Sequence, residues 1–318
     1  MAEQAGASIL HGLVAAGVVF ALLRLWPGDS PGLRLRFQLL ALAFPALLTP
    51  ALWFLAPWRQ GGDFRDLWAI FSSHRLGQLR LLGHGLDTWV GVVLALAGSA
   101  LLLRDLGPFL LELLGKPNRA DPGGAQLLNA LPGVSAGVEH PPIAWVVGEG
   151  PLLLTVGLWR PRIVASRALL DCLAPEELGA ALAHEMAHVT RRDPLLGAGL
   201  MGLRLLLFFN PAVQVVARAA VQEMECRADD VAVSATGSPE PLLRGLRTGF
   251  REGEGRRVTA RGWPGLAGLG RLLDRFRVKA IEARCQRLTG VRDAAPPQGG
   301  LRLGLTAAAL AALLFFVV

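Results

Sequence analysis

The chain has 318 residues, of which 52% are hydrophobic and 18% charged, with a formal net charge of +7. A mean hydropathy of +0.43 argues against an ordinary soluble enzyme and for several membrane spans around a modest polar portion. The basic residues stand in blocks between apolar runs with no interleaved aromatics, so the charge reads as membrane-flanking and a nucleic-acid partner is not expected.

In chain order, the first apolar run covers about Ser8 to Trp26, long enough to cross a bilayer. It follows a start without basic residues and has no small-residue exit site, so a cleavable signal peptide is not expected. A second span runs from Phe37 to Phe54, kinked by Pro45 and Pro50. Phe64 to Leu82 mixes charged and apolar residues and reads as an amphipathic interfacial helix. Trp89 to Leu103 is the third span, with an extension past Arg104 and Asp105 toward Leu114. A turn-rich linker follows at Asn118. Ile143–Val147 and Leu152–Val156 are short apolar runs that predict a β-hairpin, and Arg162–Ala165 adds a third strand.

Pro175-Glu-Glu opens a helix that closes near Arg191-Arg192-Asp193-Pro194, with acids at its start, bases at its end and a proline to stop it. Inside it lies His184-Glu185-Met186-Ala187-His188. Residues four apart on a helix share a face about 6 Å apart in rise, so both imidazoles reach one tetrahedral metal. Glu185, rotated by about 100°, serves as the base that deprotonates water. A catalytic zinc needs a third protein ligand. Glu225, in Glu225-Cys-Arg-Ala-Asp229, is the best supplier, with Glu223 and Asp230 as competitors, and Asp229 would orient one imidazole from behind. One zinc ion per chain follows. The other histidines, His11, His74, His84 and His140, read as surface or interface residues. Cys172, Cys226 and Cys285 are far apart, so neither a disulfide framework nor a thiolate metal site is expected.

Leu195 to Val221 has the length of a transmembrane helix, yet a single crossing would part His188 from Glu225 by a core about 30 Å thick. The stretch is therefore expected to double back at Asn210-Pro211 as a hairpin that dips into the membrane. The remainder, 236–300, is basic and rich in Gly and Pro, with one helix from Gly268 to about Leu288, and 301–318 is a last apolar helix.

These pieces predict a mainly α, multi-pass membrane protein carrying a small α+β zinc metallopeptidase domain. Its expected parts are a membrane region with three spans (1–115), the peptidase domain with the hairpin at 195–221 (116–235), a basic segment (236–300) and a terminal transmembrane helix (301–318). The excess of Arg between Arg218 and Arg292 places the catalytic part on the cytoplasmic side of the cell membrane.

The motifs resemble the BlaR/MecR-type antirepressor metallopeptidases, membrane zinc peptidases related in active-site plan to the HtpX proteases. The resemblance runs through Thr155-Val-Gly-Leu-Trp-Arg-Pro-Arg-Ile-Val164, Leu173-Ala-Pro-Glu-Glu-Leu178, His184 to Leu195, Phe208-Phe-Asn-Pro211 and Glu225 to Asp229. It implies His184, His188 and Glu225 as ligands and Glu185 as catalytic base. Zinc peptidases of this plan commonly carry an edge strand before the catalytic helix, which makes Leu154, Thr155 and Val156 candidates for binding a substrate as an added strand. Sensor members carry an extracellular penicillin-binding domain after the last span, and since this chain stops at Val318, antibiotic sensing by that route is not expected. The expected function is endopeptidase cleavage of a cytoplasmic or membrane-proximal protein. The alternative is a signal-transducing sensor that controls a transcriptional repressor, its cleavage secondary or self-directed.

Overall fold

Among the described residues of the computed structural model, three helices are long and apolar enough to cross a membrane: Gln4–Leu25, Pro31–Leu55 and Thr88–Leu106. At 1.5 Å per residue each covers roughly the 30 Å of a hydrocarbon core. The structure describes residues 2–26, 29–70, 80–113, 119–120, 143–147, 152–255, 281–290 and 299–318. The fold is mainly helical, with small sheets, and divides into two compact units.

The first unit comprises residues 1–109, 200–223 and 292–318. Helix α1 (Ala2–Leu25) packs against α2 (Pro31–Ala43), whose start is capped by Ser30 and by a proline in its first turn. A π-helical turn, Phe44–Leu48, separates α2 from α3 (Thr49–Leu55). It coincides with Pro45, which cannot donate a backbone hydrogen bond, so the ladder widens there instead of breaking. Short α4 (Gly62–Leu67) is all that the described residues show of the expected amphipathic helix. The chain after residue 70 lies outside them until β1 (Arg80–Leu81) pairs with β2 (His84–Gly85). The third span belongs to a helix that continues through Arg104 and Asp105, Leu86–Leu113.

His11 corrects the sequence reading. It is 1% exposed, placed 2.8 Å from Thr49 Oγ1 and 3.0 Å from the carbonyl of Val317, and so ties α1 to α3 and to the last helix, Gly299–Phe315. A polar ring on an otherwise apolar helix is stable there because both ring nitrogens have partners. Buried Arg59 donates to the carbonyls of Leu314, Phe315 and Val317 at the end of that last helix, where intrahelical donors run out. His84 is exposed as expected, while His74 and His140 lie outside the described residues.

The apolar stretch after His188 is two helices, Asp193–Leu206 and Pro211–Thr236, joined by a turn at Leu207–Asn210. Fully buried Asn210 shapes that turn. Its Oδ1 accepts from the amides of Ala212 and Val213 at the start of the second helix, and its Nδ2 donates to the carbonyl of Ser8. Gly12 makes room for it: a Cβ at that position would stand 2.8 Å from Asn210 Nδ2.

The second unit comprises residues 110–199 and 224–291. Its four-stranded sheet has the order β3 (Arg119–Ala120), β4 (Ile143–Val147), β6 (Arg162–Ser166), β5 (Leu153–Val156). The expected hairpin between β4 and β5 is therefore wrong. Strand β6 lies between them, parallel to β4 and antiparallel to β5, with Leu154 opposite Val164 and Thr155 opposite Ile163. The true hairpin is β5–β6. It turns at Gly157, whose φ of +98° and 2.7 Å clearance from Arg160 O leave no space for a side chain.

The helix Pro175–Arg191 packs on β5 and β6 through Leu178 and Leu182 against Ile163, Leu169 and Leu153. Its opposite side joins Ala180 to Ala232, Leu242, Leu243 and Leu288. That second core recruits helix Glu240–Gly255 and the helical residues 281–289. The first of these stands in a segment for which the sequence suggested only a later helix, and the second overlaps that later helix; residues 256–280 lie outside the described ones.

Candidate metal centre

The helix Pro175–Arg191 starts where a proline can occupy the first turn and where Glu177 accepts the amide of Ala174. It stops at Arg192, in the left-handed conformation with φ of 54°. Between those ends, His184 and His188 are 6% and 9% exposed and their Nε2 atoms face each other at 3.2 Å. Glu225, on the helix Pro211–Thr236, brings Oε2 to 3.5 Å from His184 Nε2 and Oε1 to 3.5 Å from His188 Nε2. Ligands at 2.0–2.1 Å on the corners of a tetrahedron stand about 3.3–3.4 Å apart, close to the spacing of the two nitrogens, and one ligand atom from each of the three residues lies within 4.8 Å of the others.

The backs of both imidazoles are also engaged. His188 Nδ1 lies 2.8 Å from Asp193 Oδ2, and His184 Nδ1 lies 3.0 Å from Asp229 Oδ1, the latter in ion-pair rather than linear hydrogen-bond geometry. A carboxylate behind each ring draws the proton to Nδ1 and aims the Nε2 lone pair forward. Two lone pairs and a carboxylate meeting at one point call for a cation there, and a set of two nitrogens and one oxygen suits zinc among the common divalent ions.

The carboxylates dominate the electrostatics of the site. Burial opposes charge on His184, but the Asp229 and Glu225 carboxylates outweigh it and raise the ring's pKa to about 9. For Glu225, burial would raise the pKa, yet the hydrogen bond to His184 and the charge of Arg284 bring it down to about 2. Asp229 behaves likewise, held at about 2 by His184 and Arg284 against the effect of burial. The carboxylates are thus ionised throughout the neutral range.

Glu185, on the same helix, is held from the sheet. The Thr155 hydroxyl donates to its Oε2 at 2.6 Å and reaches its backbone carbonyl at 3.2 Å. Leu154, Thr155 and Val156 lie on β5, a strand at the edge of the sheet. The competing acids go elsewhere: Glu223 pairs with Arg34 at 2.8 Å, and Asp230 with Arg287 at 2.7 Å. Cys172, Cys226 and Cys285 form no disulfide.

Two participants escaped the sequence reading. Asp193 was read only as part of the helix stop, although a carboxylate five residues after His188 is the signal that could have marked it: the left-handed turn at Arg192 folds it back under the ring. Arg284, which contacts both Glu225 and Asp229, has no spacing signal at all.

Residues 149–239 match the family model described as BlaR1 peptidase M56. The regulatory protein BlaR1 of Bacillus licheniformis is 30% identical over 87 residues, which make up 26% of this chain and 14% of that protein. The similarity is thus distant, and the aligned part spans a small fraction of that relative.

Proposed function

We propose, from the match of residues 149–239 to the BlaR1 peptidase M56 family model, that the chain is a membrane-embedded zinc endopeptidase with His184, His188 and Glu225 as its metal ligands and Glu185 as its base. The observation that carries the reading is the convergence of three ligand atoms lying within 4.8 Å of one another. When bound, zinc would supply Lewis acidity, bringing the pKa of water toward about 7 and polarising the scissile carbonyl.

The chain's own residues account for the rest. Glu185 takes the proton from the attacking water and returns it to the leaving amide nitrogen. The free edge of β5, at Leu154, Thr155 and Val156, suits an extended peptide that adds as a strand through backbone hydrogen bonds. Asp229 and Asp193 hold the imidazoles in one tautomer. Thr155 joins the edge strand to the base, so Thr155→Val should lower hydrolysis by roughly 10–100-fold, the loss of a hydrogen bond to a charged group, with zinc content unchanged.

The substrate would be a protein at or near the membrane. The Arg-rich stretch between Arg218 and Arg292 favours a cytoplasmic catalytic side. The domain boundaries expected from the sequence, with the Leu195–Val221 hairpin dipping into the bilayer, belong to the same reading. A second reading, in which cleavage serves signalling through a transcriptional repressor, draws support from the description of the Bacillus licheniformis relative as a regulatory protein.

Zinc content and hydrolysis of fluorescently labelled casein, measured on the full chain in detergent, test the proposal. Wild type should hold about one zinc per chain. Glu225→Ala should bind zinc more weakly by more than about 100-fold, beyond the effect of losing an outer partner. Normal zinc retention in Glu225→Ala would remove that residue from the ligand set.

A further inference from the structure

Arg284 stands where a metal ligand and its neighbour can both be reached by one side chain. Its Nε donates to Asp229 Oδ2 at 2.9 Å, its Nη2 donates to Asp229 Oδ1, and its Nη1 lies 3.1 Å from Glu225 Oε2. Asp229 is fully buried and the Arg284 side chain is only 17% exposed. The planar guanidinium fork suits this two-carboxylate grip, which an ammonium group could not reproduce. Three carboxylates gather around the two imidazoles: Glu225, Asp229 and Asp193. A divalent cation would offset two of those charges, and Arg284 offsets the third.

The contact with Glu225 is one-sided. Arg284 engages Oε2, the oxygen 3.5 Å from His184 Nε2, while Oε1 lies 3.5 Å from His188 Nε2. A carboxylate that gave both oxygens to the metal would raise the coordination number and crowd the position that a catalytic site must keep open. We propose that Arg284 is a positioning residue that makes Glu225 a one-oxygen ligand, competing with the metal for Oε2 so that a coordination position stays free for water or substrate. The proposal rests on the metallopeptidase reading above.

A merely structural role would be different. Arg287 ties the same helix to the same neighbour through Asp230 and the carbonyl of Cys226, and it touches none of the three ligands. It therefore serves as the control for tethering alone.

The test is a cobalt(II) titration of the metal-free full chain in detergent, read as affinity and as visible absorption per bound ion. Four-coordinate cobalt absorbs strongly, and higher coordination weakens the band. Arg284→Gln should bind cobalt as tightly as wild type or up to about tenfold more tightly, since one repelling charge is gone from a partly screened site. Its absorption per bound ion should fall severalfold, and casein hydrolysis should fall by roughly tenfold or more. Arg284→Lys should restore part of the absorption, and Arg287→Gln should keep the wild-type spectrum. Wild-type absorption in Arg284→Gln would overturn the proposal, as would the same spectral loss in Arg287→Gln. If Arg284→Gln does not fold, a wild-type spectrum in Arg284→Lys overturns it equally. Failure of wild type itself to take up cobalt would overturn the metal reading, and this inference with it.

Discussion

Replacing Glu185 by Gln should abolish most peptide hydrolysis, by about 10²–10⁴-fold, while the protein still holds about one zinc per chain. The two halves of that result come from different atoms. The donors that fit an ion are His184 Nε2, His188 Nε2 and a Glu225 oxygen, and Glu185 is not among them. Its carboxylate is instead held by the Thr155 hydroxyl on the edge strand. Gln preserves size and can still accept that hydrogen bond, so the change removes proton transfer and little else. Zinc content, casein hydrolysis and thermal unfolding on one preparation separate the possibilities. Loss of zinc in Glu185→Gln would make the residue part of the metal site, and unchanged hydrolysis would remove it as base.

The pairing of His184 with His188 was legible because its geometry is local. A spacing of four residues on a helix with a proline start and a charged stop leaves the two imidazoles little freedom, and the helix runs from Pro175 to Arg191 close to where the charges place it. The third donor was less legible. Glu223, Glu225 and Asp230 sit on one helix, and choosing among them needs the phase of that helix relative to His184, which depends on how the Leu207–Asn210 turn is made. Arg34 and Arg287 pair with the other two, and neither pairing leaves a trace in sequence spacing.

Strand order failed for a related reason. Neighbouring apolar runs suggest a hairpin, but β4 pairs in parallel with β6, and β5 reaches β6 across the five-residue turn that begins at Gly157. Parallel pairing carries no local turn signal. His11 shows the opposite limit: an isolated polar residue in an apolar run looked like a surface group, and only the folded partners, Thr49 and Val317, reveal that it is buried.

Within the first unit, Asp105→Ala should destabilise the protein by about 3–5 kcal/mol, the cost of leaving a buried charge without its partner. Asp105 lies on the helix Leu86–Leu113, and Arg204 Nη2 pairs with its Oδ2 at 2.7 Å. Arg204 is 5% exposed, so it cannot turn to water when the carboxylate is removed. Gln214 is fully engaged with the same arginine: its Oε1 accepts from Arg204 Nε at 2.9 Å and its Nε2 donates to the Arg204 carbonyl. An uncharged amide oxygen does not replace an ion pair in a low-dielectric setting. Arg104 and Arg218 also approach Asp105 Oδ1, at 3.0 and 3.4 Å, and both are more exposed than Arg204, so their loss of a partner is better screened. If the single substitution is costly because Arg204 is stranded, the double replacement Asp105→Leu with Arg204→Leu should recover most of the loss, since apolar groups need no partner. Thermal unfolding in detergent of wild type, Asp105→Leu, Arg204→Leu and the double replacement measures this cycle, with Asp105→Ala alongside. A change below about 1 kcal/mol for Asp105→Ala, the range of an exposed pair, would mean that Arg204 finds water after all and that the pair contributes little to holding this helix against the turn-forming arms.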